Sequence, residues 1–215
     1  MDSPLRDSIP REIFDYQQAM AALEGYRSPR VHLAALVRKG VVVRIRKGLY
    51  AFGEKWRRRP VSKELLANLI YGPSYLSLEF ALRHHGLIPE RVEVFTSVTT
   101  GRSRHFDTPF GRFSYRQIPT QAFGAGFERV EQEGGDSFLI AVPEKAVADK
   151  VACDRQGQLR SRRAMLAYLL ENQRMEESSL RGLSWMLLRE FAERYNSRKI
   201  AVLSDTIRHL GRADR

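Results

Sequence analysis

A chain of 215 residues, 43% apolar and 28% charged, should bury about 70% of its unfolded surface and fold without disulfides or a structural metal. Its single cysteine, Cys153, excludes an internal disulfide and a zinc finger; the longest apolar run, residues 164–170, falls far short of the ~20 needed to span a bilayer, and the start, Met1 to Arg6, lacks the apolar core of a signal peptide, so a cytoplasmic protein with no membrane partner is expected. The net charge of +11 is unevenly placed: residues 1–60 hold 13 Lys/Arg against 6 Asp/Glu, and the rest hold 23 against 19, which puts the surplus that attracts polyanions in the first quarter of the chain.

In chain order, apolar Ile13, Phe14, Met20 and Leu23 predict a helix over residues 12–23, broken by Gly25. Ser28 and Pro29 suit the start of a second helix, which should run to Lys39 and stop at Gly40. A period of two from Val41 to Arg46, a Lys47-Gly48 turn and the return over Leu49 to Phe52 predict a hairpin. Arg57-Arg58-Arg59-Pro60 reads as a basic linker, and residues 62–71 as a helix before a boundary at Gly72-Pro73. Beyond it come a helix over 77–85 and strands over 92–98, 104–106, 113–118 and 137–142. Helices over 143–153, 161–172, 183–195 and 200–210 complete the chain. The expected fold class is α+β: an N-terminal winged helix-turn-helix in residues 1–72, then a mixed α/β domain in residues 73–215 ending in helices.

Helix, turn, helix and hairpin in that order match a DNA-binding module whose second helix enters the major groove while the hairpin touches the backbone or minor groove. Leu33, Leu36 and Val37 share one side of the second helix. Arg30, Ala34 and Arg38 then lie opposite, two forked cations flanking a small residue that permits close approach, with Arg27 and Ser28 just ahead of them. His32 falls between the two sides, at the rim. On the hairpin, alternation puts Arg44 and Arg46 together, opposite Val43 and Ile45, with Lys47 at the tip. The expected partner is double-stranded DNA.

The segment from Leu36 through Lys39-Gly40 to Gly48-Leu49-Tyr50 resembles the winged helix of AbiEi-type antitoxins. Residues 75–89, 96–118 and 141–149 resemble the helical entry, central strands and following helix start of that family's second domain; together the likeness covers residues 30–155. The resemblance implies the antitoxin and transcriptional autorepressor of a type IV toxin–antitoxin pair. Its partner would be a nucleotidyltransferase-like toxin, opposed without the need for stable contact. A stand-alone winged-helix transcription factor, with a second domain that senses a ligand or partner, is the alternative.

Arg102, Arg104, Arg112 and Arg116, interleaved with aromatic residues, form a second basic stretch. In a strand, Arg112, Ser114 and Arg116 face one way and Phe113 and Tyr115 the other, which suits phosphate contact rather than base stacking. Neither catalysis nor a cofactor or metal site is expected. There is no Gly-x-Ser-x-Gly elbow, no P-loop and no Gly-Ser turn with paired aspartates, and adjacent His84 and His85 point apart on a helix. A Mg²⁺-dependent nuclease, needing Asp and Glu-x-Lys on adjoining strands, is a weaker third option, because Glu144-Lys145 sits at a helix start.

Overall fold

The computed structural model describes residues 4–155 and 159–211; Met1 to Ser3, part of the start weighed above against a signal peptide, lie outside the described residues. The chain opens with helix α1 (Pro4–Ser8), strand β1 (Ile13–Asp15), helices α2 (Tyr16–Ala22) and α3 (Pro29–Arg38), and a hairpin of β2 (Val42–Arg46) and β3 (Leu49–Phe52). The three strands form an antiparallel sheet in the order β1-β3-β2.

The single helix expected over 12–23 is two elements. Asp15 and Gln18 form a reciprocal cap: the Asp15 carboxylate accepts from the Gln18 amide at 2.8 Å, and the Gln18 side-chain oxygen accepts from the Asp15 amide at 2.9 Å. That pair fixes the start of α2 at Tyr16. The residues ahead of it are free to pair with β3, where Ile13 and Phe14 reach opposite faces of the sheet. By contrast, α3 begins and ends as read. Gly40 takes φ +70°, its amide donates to Val37 O and that of Val41 to Leu36 O, a left-handed stop that Val41 seals by packing in the same core as Leu36.

A 3₁₀ turn at Glu54–Trp56 leads to α4 (Lys63–Ile70), β4 (Ser74–Leu76), α5 (Leu78–His84), β5 (Val94–Thr99), β6 (Arg104–Thr108), β7 (Gly111–Gln117), α6 (Thr120–Phe123), β8 (Phe127–Glu131) and β9 (Ser137–Ala141). Helices then follow: α7 (Pro143–Cys153), α8 (Arg162–Ala167) running into a π-helical turn at Tyr168–Asn172, α9 (Glu177–Arg181), α10 (Trp185–Tyr195) and α11 (Arg198–Leu210). The second sheet is six-stranded and mixed, in the order β6-β7-β5-β4-β9-β8. Its central strand β4 pairs antiparallel with β5 and parallel with β9, and β5 runs parallel to β7. The molecule is therefore a mixed α+β fold with helices at both ends.

Two cores support it. The smaller gathers Leu5, Phe14, Leu23, Leu33, Leu36, Val42 and Phe52 between α1–α3 and one face of the first sheet. The opposite face of that sheet, carrying Ile13, Ile45, Leu49 and Ala51, belongs to the larger core. Helix α4 also packs there: Leu66, Ala67 and Ile70 are fully buried, Asn68 exchanges hydrogen bonds with the backbone of Leu139, and the Tyr115 hydroxyl donates to Ala67 O at 2.6 Å. The boundary expected at Gly72-Pro73 thus falls inside the larger core, and the two cores meet across the first sheet, whose opposite faces they share. No helix among the described residues is long and apolar enough to cross a membrane.

Candidate nucleic-acid interface

Helix α3 is held from behind by Leu33 and Leu36, both buried in the smaller core, with Val37 packed beside them. Its outer side carries Arg30, Ala34 and Arg38, all exposed, and Arg27 and Ser28 lie exposed just ahead of it. The same side presents Val31, which is 65% exposed. At 100° per residue Val31 lies next to Arg38 on the helical projection, with Ala34 on the other side of Arg38 and Arg30 beyond it, so the surface interleaves arginines with one apolar and one small residue. Sequence reasoning missed Val31 because a valine among apolar neighbours reads as core; its position beside Ala34 and Arg38 on the helical wheel was the available signal. His32 is half-buried and stacks on the Tyr26 ring at 3.9 Å between centroids, which occupies one of its faces.

Arg44, Arg46 and Lys47 are all exposed on the hairpin, but the two arginines do not share a face. The register slips between them: Arg44 lies opposite Tyr50, and Arg46 lies opposite Leu49. Directly opposed residues point to the same side. Arg44 therefore projects on the side of Tyr50 and Val42, where α3 packs, whereas Arg46 projects with Leu49 on the side facing the larger core. A bulge at Ile45 is the cause, since the extra residue lets Ile45 stay in the larger core while the strand shifts phase. Accordingly the Arg46 charge acts on the Tyr115 hydroxyl of β7, opposing the rise that burial imposes on it. None of Arg27, Arg30, Arg38, Arg44, Arg46 and Lys47 forms an ion pair with a described residue, and α3 itself contains no acidic residue.

The second basic stretch is divided by the sheet. On β7, Phe113 and Tyr115 are buried while Arg112 and Arg116 are exposed on the other face. Arg104 of β6 pairs with Tyr115 and leans over the Tyr71 ring at 5.6 Å, on the aromatic face. Arg112 is engaged by Asp107 at 3.2 Å, and Arg102 is exposed in the bend before β6. The four arginines do not make one continuous surface; Arg116 alone enters a cationic cleft, described below.

A cluster that sequence reasoning did not single out lies at the centre of the second sheet. Lys145 and Asp149, one turn apart on α7, are fully buried and paired. The Ser77 hydroxyl donates to Asp149 Oδ2 at 2.7 Å and the Tyr195 hydroxyl to Asp149 Oδ1 at 2.5 Å, while the Tyr75 hydroxyl reaches Oδ2 at 3.4 Å. Burial lowers the Lys145 pKa against the raising effect of Asp149, and it raises those of Tyr75 and Tyr195, helped by the same carboxylate. Tyr75, Ser77, Lys145 and Asp149 are fully buried and Tyr195 alone reaches a cleft edge, so the cluster pins α7 to α10 and β4. Burial also pushes the Cys153 thiol up to about 11, which leaves it protonated and unreactive at neutral pH. Glu144 accepts a hydrogen bond from the Ser184 amide at 2.8 Å, and His85 lies 2.7 Å from Ala141 O, so both are engaged in packing contacts. Among the described residues, no group of three or more His, Cys, Asp or Glu could hold a metal ion.

No family model matches the chain, and no curated protein sequence matches it.

Proposed function

We propose that this chain is a sequence-specific double-stranded-DNA-binding protein in which residues 1–60 form a winged helix-turn-helix, α3 reads the major groove, and Arg44 and Lys47 of the hairpin contact phosphate. The single observation that carries this is the outer side of α3: Arg30, Val31, Ala34 and Arg38 stand exposed together, with no ion pair and no acidic neighbour on the helix. An apolar contact with a thymine methyl beside bidentate arginine contacts with guanine is a combination that the major groove distinguishes and the minor groove does not. Fluorescence anisotropy with the DNA upstream of the protein's own gene tests it. Arg30→Ala should cost ~1–3 kcal/mol and relax the preference at one base position, and Val31→Ser should lower discrimination at a neighbouring position. Unchanged affinity and selectivity in both variants would remove α3 as the reading helix.

The likeness to AbiEi-type antitoxins extends the proposal: the protein is a cytoplasmic antitoxin and autorepressor, without catalysis or cofactor of its own, opposing a nucleotidyltransferase-like toxin encoded beside it. Co-expression with the neighbouring gene decides this; growth lost with the neighbour alone and restored by this chain supports it, and a harmless neighbour overturns it. One feature favours the stand-alone regulator with a sensing domain: an open cleft of about 850 Å³ beside β7, lined by Glu79, Ile88, Val94, Phe106, Arg112 and Lys150 among others, within the size range of small-molecule sites.

A further inference from the structure

A separate cleft of about 570 Å³ lies where the end of β7, the residues just after α7 and the start of α11 meet. Four cations from these three segments line it: Arg116, Arg155, Arg198 and Lys199. No Asp or Glu is among its lining residues. Arg116, Arg155 and Arg198 form no ion pair with a described residue, and Lys199 is positioned by donating to Asp154 O at 2.8 Å. Glu79 and Asp154 line the adjoining cleft, which shares Arg116 and Arg155, and are engaged by Lys150 at 2.9 and 3.4 Å; Asp149, bonded to Tyr195 behind the cleft, is paired with Lys145. Like charges converging in a concavity repel one another, and that repulsion is relieved by an anion.

Beyond charge, the shape and the remaining lining specify the ligand. Three guanidinium groups approaching from different backbones present planar forks to several oxygens at once, the geometry that phosphate esters satisfy. Ser197 caps α11 without using its hydroxyl on the helix, and Asn196, in the left-handed conformation, closes the preceding helix at the cleft edge. Ile118, Pro119 and Tyr195 supply an apolar and aromatic margin for the uncharged part of a ligand. The volume matches a mononucleotide rather than a polymer groove.

We propose that this cleft binds a small, multiply charged phosphorylated ligand of nucleotide size. The site is independent of the DNA-reading helix and stands or falls separately from it.

The test is titration calorimetry of the full chain with ATP and with inorganic pyrophosphate at near-physiological salt. The exposed pair Arg155→Gln/Arg198→Gln is compared with Arg163→Gln, an exposed cation on α8 outside the cleft. Saturable binding of both probes is expected in the wild type and in Arg163→Gln, with at least a tenfold loss in the double variant from removing two charge-assisted contacts. Thermal melting of the double variant within the wild-type transition shows that the fold is intact. No heat with either probe, or equal binding in the double variant, overturns the proposal. So does a loss of upstream-DNA affinity in the double variant that matches the loss in Arg30→Ala, because the cleft would then be part of a nucleic-acid surface.

Discussion

The bulge in the hairpin makes Arg44 and Arg46 unequal, and salt dependence of DNA binding measures the difference. Arg44 projects on the α3 side of the sheet and Arg46 on the side of Leu49 and the larger core. With Arg30 on a base edge, the cations left for phosphate are Arg27, Arg38, Arg44 and Lys47, all exposed. Each neutralised phosphate contributes about 0.9 to the slope of log affinity against log salt, so one protein on its site should show a slope of about −3.6. Arg44→Ala should bring this to about −2.7, so that a fourfold rise in salt weakens binding about 40-fold instead of about 150-fold. Arg46→Ala should leave the slope at its wild-type value. Anisotropy titrations on the upstream DNA at four or five salt concentrations give the slopes directly. Equal changes for the two variants, or none for Arg44→Ala, would refute the placement of the hairpin on DNA that its register dictates.

Three further outcomes follow from the packing. Asp149→Ala strands a buried lysine and should cost about 3–5 kcal/mol in urea unfolding, whereas Lys145→Met/Asp149→Leu, which removes both charges, should cost less; a double variant as damaged as the single one would show that the charges are not what matters. The folded thiol of Cys153 keeps its proton up to about 11, against 9.0 as its ordinary value, so its contribution to stability is full below about pH 9 and is lost as pH rises towards 11. Urea midpoints of wild type should therefore fall relative to Cys153→Ala across that window, and parallel curves would count against the burial effect. A fragment of residues 73–215 lacks α4, and losing the buried Leu66 and Ile70 alone removes about 3–6 kcal/mol from a total that is usually 5–15. It should lack the cooperative thermal transition of the fragment 54–215, and equal melting of the two would place the structural boundary back at Gly72-Pro73.

What the sequence disclosed and what it concealed follow from how local each signal is. The stop at Gly40 is set by a few adjacent residues and stands in the structure with φ +70°, and Gly86, at the same φ, ends the helix read over 77–85. Pro143–Cys153 is a helix as read, since Pro143 suits its first turn and the apolar spacing continues to its end. Strand β4 left no period-two trace because Ser74, Tyr75 and Leu76 are all buried, and a strand covered on both faces does not alternate. Strand β8 hid for the opposite reason: Glu128, Arg129 and Glu131 are exposed on a sheet edge and leave no run of apolar residues to mark it. The exposure of Arg30, Ala34 and Arg38 on α3 was legible from helical spacing alone, whereas that of Val31 was not. Nor was the phase shift at Ile45, because a bulge answers to a partner strand and to a core that lie elsewhere in the chain. For the same reason Arg155 and Arg198, far apart in sequence and joined only by the fold, gave no sign of a shared cleft.

That core is what ties the two parts of the molecule together. The first sheet is covered on both faces: Phe14, Val42, Tyr50 and Phe52 press against α1–α3, and Ile13, Ile45, Leu49 and Ala51 press into the larger core. Side links reinforce the join, with Arg57 over the Phe110 ring at 5.1 Å and Arg59 to Asp136 at 3.2 Å. The hairpin is consequently no free arm, because one of its faces is committed to packing, and α3 is presented to solvent from a frame that includes the six-stranded sheet. Strand β7 lies at the meeting point. Its alternation puts Tyr115 under the hairpin, near Arg46 and bonded to Ala67 of α4, and puts the next residue, Arg116, on the other face in the cationic cleft. Strand β7, paired on both sides with β6 and β5, thus carries one residue packed beneath the hairpin and the next in the cleft. With period-two geometry fixing both side chains to one backbone, Arg116 and Tyr115 are held to a common frame, and no flexible linker lies between the cleft and the underside of the hairpin.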